Sequence, residues 1–291
     1  MPQPATETIP SPKIFYPTPL KKQALENLAN FYALTIKDLV SLVYPQINPT
    51  HEASMRRALA ILDRAGLINR IPYRPDEYPG YGSLPFACGL SFQGVLWAQE
   101  NCPWTDPKEL IKDHSPLTLE HEIKRARFHM KIVTMCDRHD LELFWKKTDL
   151  NHTVFPDDVF AIKKDGKITY YFFELENRRK SFKELLEKYK RYEEYYGTQK
   201  CKDEWKDFKT FTVVTQIRSE EARHNILNFL AGEPVTEYRN GHGRTIVNKT
   251  PIKRSNFWFT ADPFVQSNLI GEKIFMTPKD YQKVAYSFLN A

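Results

Sequence analysis

The stretch Tyr170-Tyr171-Phe172-Phe173-Glu174-Leu175-Glu176 constrains the fold more than any other part of the chain. An apolar, aromatic run of this kind reads as a buried strand. Side chains two apart on a strand point the same way, so Glu174 and Glu176 leave one face together. They close the run, which puts them at its rim rather than on an open surface. Like charges repel and desolvation penalises both, so the pair needs compensation. A bound divalent cation supplies it, and hard oxygen ligands suit Mg²⁺ or Mn²⁺.

The flanking sequence supplies the partners of that strand. Pro116–His139 predicts a long amphipathic helix with Leu119, Ile123, Ala126, Met130, Val133 and Cys136 as its inner stripe. Strands are predicted at Leu141–Lys147, Val154–Ile162 and Thr169–Glu176, then a helix over Lys180–Tyr196. A strand at Phe208–Thr215 and a helix at Glu220–Leu230 complete an α/β (α+β) order with a mixed sheet. Pro156-Asp157-Asp158 opens the second strand, and either acid could join the glutamates; a resemblance given below, to a family with a Pro-Asp pair, selects Asp157. Arg178, Arg179 and Lys180 follow the acid pair at once, and Lys183, Lys188, Lys190 and Arg191 line the next helix. That helix is either a groove for a phosphate backbone or a solvated face, since Glu184, Glu187, Glu193 and Glu194 offer i, i+4 partners. Tyr189, Tyr192, Tyr195 and Tyr196 read as core packing rather than as nucleophiles. Arg239-Asn240-Gly241-His242-Gly243-Arg244 reads equally as a phosphate contact or a hairpin turn. After Thr250, a strand and a closing helix carry no assigned chemistry.

The first hundred residues have a different grammar. Residues 1–17 are rich in proline and small polar residues and read as a flexible tail. Helices are predicted at Leu20–Tyr32, from a Thr35 cap through Val43, and over Thr50–Ala65, the last with Met55, Leu59 and Leu62 inward. Leu67–Ile71 and Phe86–Phe92 are strands around a Pro, Gly and Tyr-rich loop, and Gln93–Asn101 is a closing helix. This order, with Arg56-Arg57-Ala58-Leu59-Ala60-Ile61-Leu62-Asp63-Arg64 leading into a turn, resembles a winged helix-turn-helix over residues 18–104. The resemblance implies a recognition helix that meets duplex DNA through His51, Ser54, Arg56, Arg57 and Arg64. Arg70, Tyr73 and Arg74 fall where a wing would touch the flanking backbone. Residues 105–115 read as a linker to a second domain over 116–291.

Charge and cysteine content narrow the class further. The net charge of +6 favours a polyanionic partner. Four widely spaced cysteines form no C-x-x-C pair, which argues against a structural zinc site and fits reduced thiols in a cytoplasm. No apolar run is long enough to span a membrane.

The second domain resembles the PD-(D/E)XK restriction-endonuclease-like fold through Pro156-Asp157 and Glu174-x-Glu176. The resemblance implies that Asp157, Glu174 and Glu176 hold a metal. Glu176 stands where that superfamily usually has the lysine that helps to activate water. Lys180 or Lys188 from the next helix could supply the missing cation, and Glu122 is the candidate early acid. Taken end to end, the chain is similar to the replication-relaxation family and its MobC-type relaxase relatives. That similarity rests on the helix-rich first unit followed by the segments starting at Leu117, Pro156, Phe172, Leu185 and Phe211. It implies a Mg²⁺- or Mn²⁺-dependent DNA endonuclease or relaxase that nicks double-stranded DNA at a plasmid or mobile-element origin, with other mobilisation or replication proteins as partners. The alternative it implies is an inactive DNA-binding replication or mobilisation accessory on the same fold.

Overall fold

The computed structural model describes residues 17–44, 46–74, 85–146, 154–176, 180–196, 198, 201, 211–239, 242–252, 255–267, 275–280 and 287–290. The chain is mixed α/β and divides into two compact units, Met1–Ala126 and Arg127–Ala291.

The first unit contains α1 (Pro19–Asn30), β1 (Leu34–Thr35), α2 (Ile36–Val43), α3 (Pro49–Arg64), β2 (Ile68–Pro72), β3 (Phe86–Leu90) and α4 (Phe92–Asn101). Thr35 starts α2 by a reciprocal cap: its hydroxyl accepts from the Asp38 amide, and the Asp38 carboxylate accepts from the Thr35 amide at 2.9 Å. Asn48 caps α3 by accepting from the His51 amide at 2.9 Å. The apolar spacing of α3 buries Met55, Ala58, Leu59 and Leu62, one residue more than the expected stripe. Sequence reading assigned Thr35 only a capping role. Leu34 and Thr35 also pair with Cys88 and Ala87, which widens the expected two-stranded ribbon to the antiparallel order β1-β3-β2. Two residues are too few to show a period, so this edge was not legible.

Residues 105–115 were expected to be a linker, yet their middle is held in this unit. Leu110 is buried, its amide donates to the Leu90 carbonyl at 2.8 Å, and its own carbonyl accepts from Asn69 at 2.8 Å. The division between the units falls instead inside α5 (Pro116–Arg138). Leu119 and Ile123 belong to the core of the first unit, with Ile71, Tyr73 and Ala87. Phe128, Ile132, Met135 and Cys136 belong to the core of the second. The helix therefore carries two apolar stripes of different phase. Met130 and Val133, which continue the first stripe on paper, are only half-buried.

In the second unit, β4 (Glu142–Lys146), β5 (Asp158–Lys164), β6 (Lys167–Glu176), β7 (Phe211–Ile217) and β10 (Phe257–Ala261) form one sheet in the order β10-β7-β6-β5-β4. The β4, β5 and β6 strands are antiparallel neighbours, whereas β6, β7 and β10 run parallel. The β5 strand begins later than the sequence suggested, because pairing with β6 starts only at Asp158 opposite Phe173. The aromatic run of β6 is explained by its position. Phe172 packs with α6 (Phe182–Tyr196) in one cluster, and Tyr171, Phe173 and Leu175 pack with the second half of α5 in another. A strand covered on both faces reads as continuously apolar. The α7 helix (Glu220–Ala231), a separate hairpin of β8 (Val235–Arg239) and β9 (His242–Ile246), and the short α8 (Asp262–Ser267) follow. No helix among the described residues is long and apolar enough to cross a membrane.

Gly94 in α4 tests the close packing of the first unit. A Cβ there would lie 2.0 Å from the Leu67 carbonyl oxygen. Overpacking of this kind costs about 1–3 kcal/mol. Gly94→Ala is therefore expected to lower the thermal midpoint by several degrees, as read by circular dichroism, whereas Gly166→Ala, with no atom within 4 Å, strains only its own turn.

Candidate functional site

The end of β6 carries Glu174 and Glu176 on the face that α6 covers, and both are buried, at 3% and 4% exposure. The spacing of α6 decides what meets them. Leu185, Tyr189, Tyr192 and Tyr195 form its buried stripe, and Lys188 and Tyr192 lie one turn apart beside it. The Lys188 ammonium stands 2.5 Å from Glu174 Oε2 and 2.5 Å from Glu176 Oε1. The Tyr192 hydroxyl donates to Glu174 Oε1. Lys180, just before α6, reaches Glu176 Oε2 at 2.9 Å. Tyr189 is fully buried against Thr215 of β7, with 2.8 Å between the hydroxyls.

Asp157 approaches from the strand next door. The β5 ladder begins only at Asp158, so the Leu175 amide would lack a ladder acceptor. Asp157 Oδ2 takes that bond at 2.7 Å, while the Asp157 amide donates to the Phe173 carbonyl at 2.9 Å. Asp157 is thus the acid fastened to β6 between the two glutamates, and Asp158 is a strand residue. The same contact gives Asp157 a structural duty, since a buried amide left unpaired costs about 1–3 kcal/mol.

Charge balance follows from this geometry. Burial pushes the Glu174 carboxyl up to about 7; the Lys188 ammonium pulls it down, and Asp157 adds to the rise. Burial alone would favour a neutral Lys188, but Glu174 and Glu176 outweigh it and raise its pKa, so it stays an ammonium. Burial lifts the Tyr192 phenol well above its ordinary range, and the Glu174 charge lifts it further. A phenol that is buried and hard to ionise is poorly placed to attack a phosphate.

Sequence reasoning expected three acids around one centre. The structure brings Asp157, Glu174 and Glu176 together with Lys188 and Lys180, and an ammonium takes the position between the two glutamates. Among the described residues no three acid, imidazole or thiol groups are arranged to hold a metal ion. Glu122 belongs to the first unit, where it pairs with Arg125 at 2.8 Å. Arg178 and Arg179 lie outside the described residues. Lys190 is half-buried and Arg191 exposed on α6. The role of Tyr192 as a donor to Glu174 was missed, although its place one turn after Lys188 was the available signal.

The proposed duplex-reading residues of the first unit are unevenly available. Arg56 is exposed and makes only an i, i+4 contact with Glu52 at 3.5 Å. Arg57, Arg64 and Arg74 are also exposed, and Ser54 is half-buried. His51 stacks on Tyr44 at a centroid distance of 3.9 Å and its Nδ1 lies 2.9 Å from the Gln46 carbonyl, which ties it to the start of α3. Arg70 lies over the Phe86 ring and 3.5 Å from Asp63. Tyr73 corrects the sequence reading: it is 3% exposed, in the first unit's core, and cannot reach a DNA backbone. A tyrosine next to a Pro-rich loop looks exposed in sequence, but its apolar ring completes the cluster around Ile71 and Leu119.

A family model described as replication-relaxation matches residues 25–213. The chain belongs to the replication-relaxation family. The match runs from α1 into β7 and includes every acid and lysine of the buried cluster. No curated protein matches the chain, and no solved structure does.

Two measurements probe the cluster. Lys188→Met leaves two buried carboxylates facing each other, and breaking a buried pair costs about 3–5 kcal/mol; urea titration is expected to show an unfolding free energy lower by that amount. The pH dependence has a defined sign. The folded Glu174 pKa of about 7 exceeds its ordinary 4.5, so the folded state holds a proton that the unfolded state has released between those values. Its contribution to stability is present below pH 4.5 and is lost as pH rises through 7. Glu174→Gln in EDTA is expected to flatten the stability profile across that window.

Proposed function

We propose that this protein is a metal-dependent DNA endonuclease that nicks one strand at an origin of a plasmid or other mobile element. The reading treats the first unit as a winged helix that grips duplex DNA and the second as a nuclease-like domain of the PD-(D/E)XK type. The observation that carries it is the convergence of Asp157, Glu174, Glu176 and Lys188 at the end of β6. Family membership supports a role in replication or relaxation of such DNA. The antiparallel run of β4, β5 and β6, followed by parallel β7 after a crossover helix, supports the nuclease-like arrangement.

The donor set suits a hard cation in kind. Mg²⁺ commonly keeps several waters and takes only one or two protein carboxylates together with substrate phosphate oxygens. Asp157 and Glu174 would be those two, with Glu176 committed to Lys180 and Lys188. The bound cation would polarise the scissile phosphate and acidify a water. Lys188, held as an ammonium by both glutamates, donates hydrogen bonds and positive charge toward a phosphate oxygen rather than accepting a proton. Asp157 keeps its position through the Leu175 amide. On the first unit, exposed Arg56, Arg57 and Arg64 on α3 contact phosphates and base edges of the origin.

One observation favours a second reading, a DNA-binding replication or mobilisation accessory without catalysis. Lys188 already neutralises the two glutamates, which gives a closed ion-pair cluster that folds without metal.

Supercoiled plasmid carrying the native origin, incubated with purified protein and Mg²⁺ or Mn²⁺, separates them. Conversion to open circle, abolished by Asp157→Ala and Glu174→Ala, is the expected result. A gel shift on origin DNA with unchanged supercoils under either metal rejects the nuclease. Thermal melting gives an independent reading: Mn²⁺ is expected to raise the midpoint of the wild type, and to do so far less for Asp157→Ala.

A further inference from the structure

Of the buried acids, Glu176 borders a cleft of about 940 Å³, bounded by the start of α6, the end of β7, the start of α7 and β8. That volume lies at the upper end of the ~300–1,000 Å³ range for small-ligand sites. Its apolar lining includes Phe182, Leu185, Ile217 and Ile226. Four carboxylates line it; Glu221 is exposed, and the other three are engaged by the protein itself. Glu176 holds Lys180, Glu184 accepts from the Ser181 amide at 2.7 Å, and Glu237 accepts from the Phe182 amide at 3.4 Å. Lys180, 40% exposed, and the exposed Arg218 stand on its wall as cations, and Asn225 offers an amide.

Above this cleft stands a ring that the fold leaves in water. Tyr238 lines the cleft yet is 66% exposed. Its strand is anchored at the root, where Val235 is buried in the core and Glu237 holds the start of α6. Across the hairpin Tyr238 faces Gly243, and a Cβ at Gly243 would lie 3.1 Å from Tyr238 Cε1. The missing side chain lets the ring lie close against the neighbouring strand. An aromatic held in this way beside an apolar pocket, with Lys180 and Arg218 among the polar groups of its wall, fits a flat heterocycle.

We infer that the cleft takes an unpaired nucleotide of a DNA strand, with its base stacked on Tyr238 and its phosphate near Lys180 and Arg218. A base inside a duplex cannot lay its face on this ring, so the strand must be single or locally opened there. The inference deepens the proposed nuclease reading, because Glu176 is shared between the cleft and the acid cluster and the unpaired nucleotide would neighbour the phosphate to be cut. The hairpin and α7 lie beyond residue 213, outside the stretch shared with the family.

The test uses the full chain in EDTA, so that binding is read without cleavage. The probe is a single-stranded oligonucleotide of mixed sequence with one 2-aminopurine, followed by fluorescence quenching, beside the same sequence as a duplex. Base–aromatic stacking of ~1–3 kcal/mol predicts a roughly 5- to 100-fold weaker single-strand Kd for Tyr238→Ala. Tyr238→Phe keeps the ring and is expected to bind within about 3-fold of wild type. Duplex affinity is expected to be unchanged in both variants. Single-strand binding insensitive to Tyr238→Ala, equal losses on duplex and single strand, or equal losses for Ala and Phe would each overturn the inference. None of these outcomes depends on whether the protein cuts, and the plasmid assay fails or succeeds independently of Tyr238 stacking.

Discussion

Two carboxylates two residues apart on a strand with helices over both faces cannot be left alone. Glu174 and Glu176 lose almost all contact with water, and the chain answers with an ammonium and a phenol from the same helix. This requirement fixes much else. It sets the rotation of α6, because Lys188 must face the strand while Leu185, Tyr189 and Tyr195 fill the core beside it. It also sets where β5 may begin, since Asp157 has to stop pairing as strand and accept from Leu175 instead. A buried ion pair is weak evidence of stabilisation on its own, because desolvation offsets much of the attraction.

The sequence made some of this legible and hid the rest for physical reasons. Periodicity located α3, α6 and α7 to within a few residues, because each buries a single stripe. The α5 helix misled the same method after Ala126. Its stripe changes phase where the helix passes from one core to another, so Phe128 and Ile132 are buried and Met130 is not. The β1 strand was too short to show alternation. Tyr73 was misplaced because a residue beside a turn-rich loop carries no local mark of the cluster it completes. At the acid cluster, the pair on β6 came from strand geometry, and the preference for Asp157 over Asp158 came from the resemblance to the Pro-Asp pair of the nuclease-like fold. Lys180 and Lys188 were named as candidate cations through the resemblance, but that the Lys188 ammonium lies between the two glutamates could not be read, because α6 can be rotated on paper without altering its pattern.

The two units solve different problems with the same means. In the first, polar caps at Thr35 and Asn48 and close backbone contacts at Gly94 fix a small helical cluster against three short strands. In the second, a five-stranded sheet lets two acids sit deep while one of them, Glu176, still borders an open cleft. The two units handle charge differently, with exposed arginines on α3 in the first and neutralised carboxylates at the end of β6 in the second.

Because α5 lends Leu119 and Ile123 to one core and Phe128 and Ile132 to the next, no clean seam exists at the proline-bearing stretch before it. A recombination event that replaced the first unit at residues 105–115 would strip Leu119 and Ile123 of their partners and leave them facing a foreign surface. An exchange of modules therefore has to carry the first half of the helix along, so the first unit and the leading turns of α5 should be inherited as one piece.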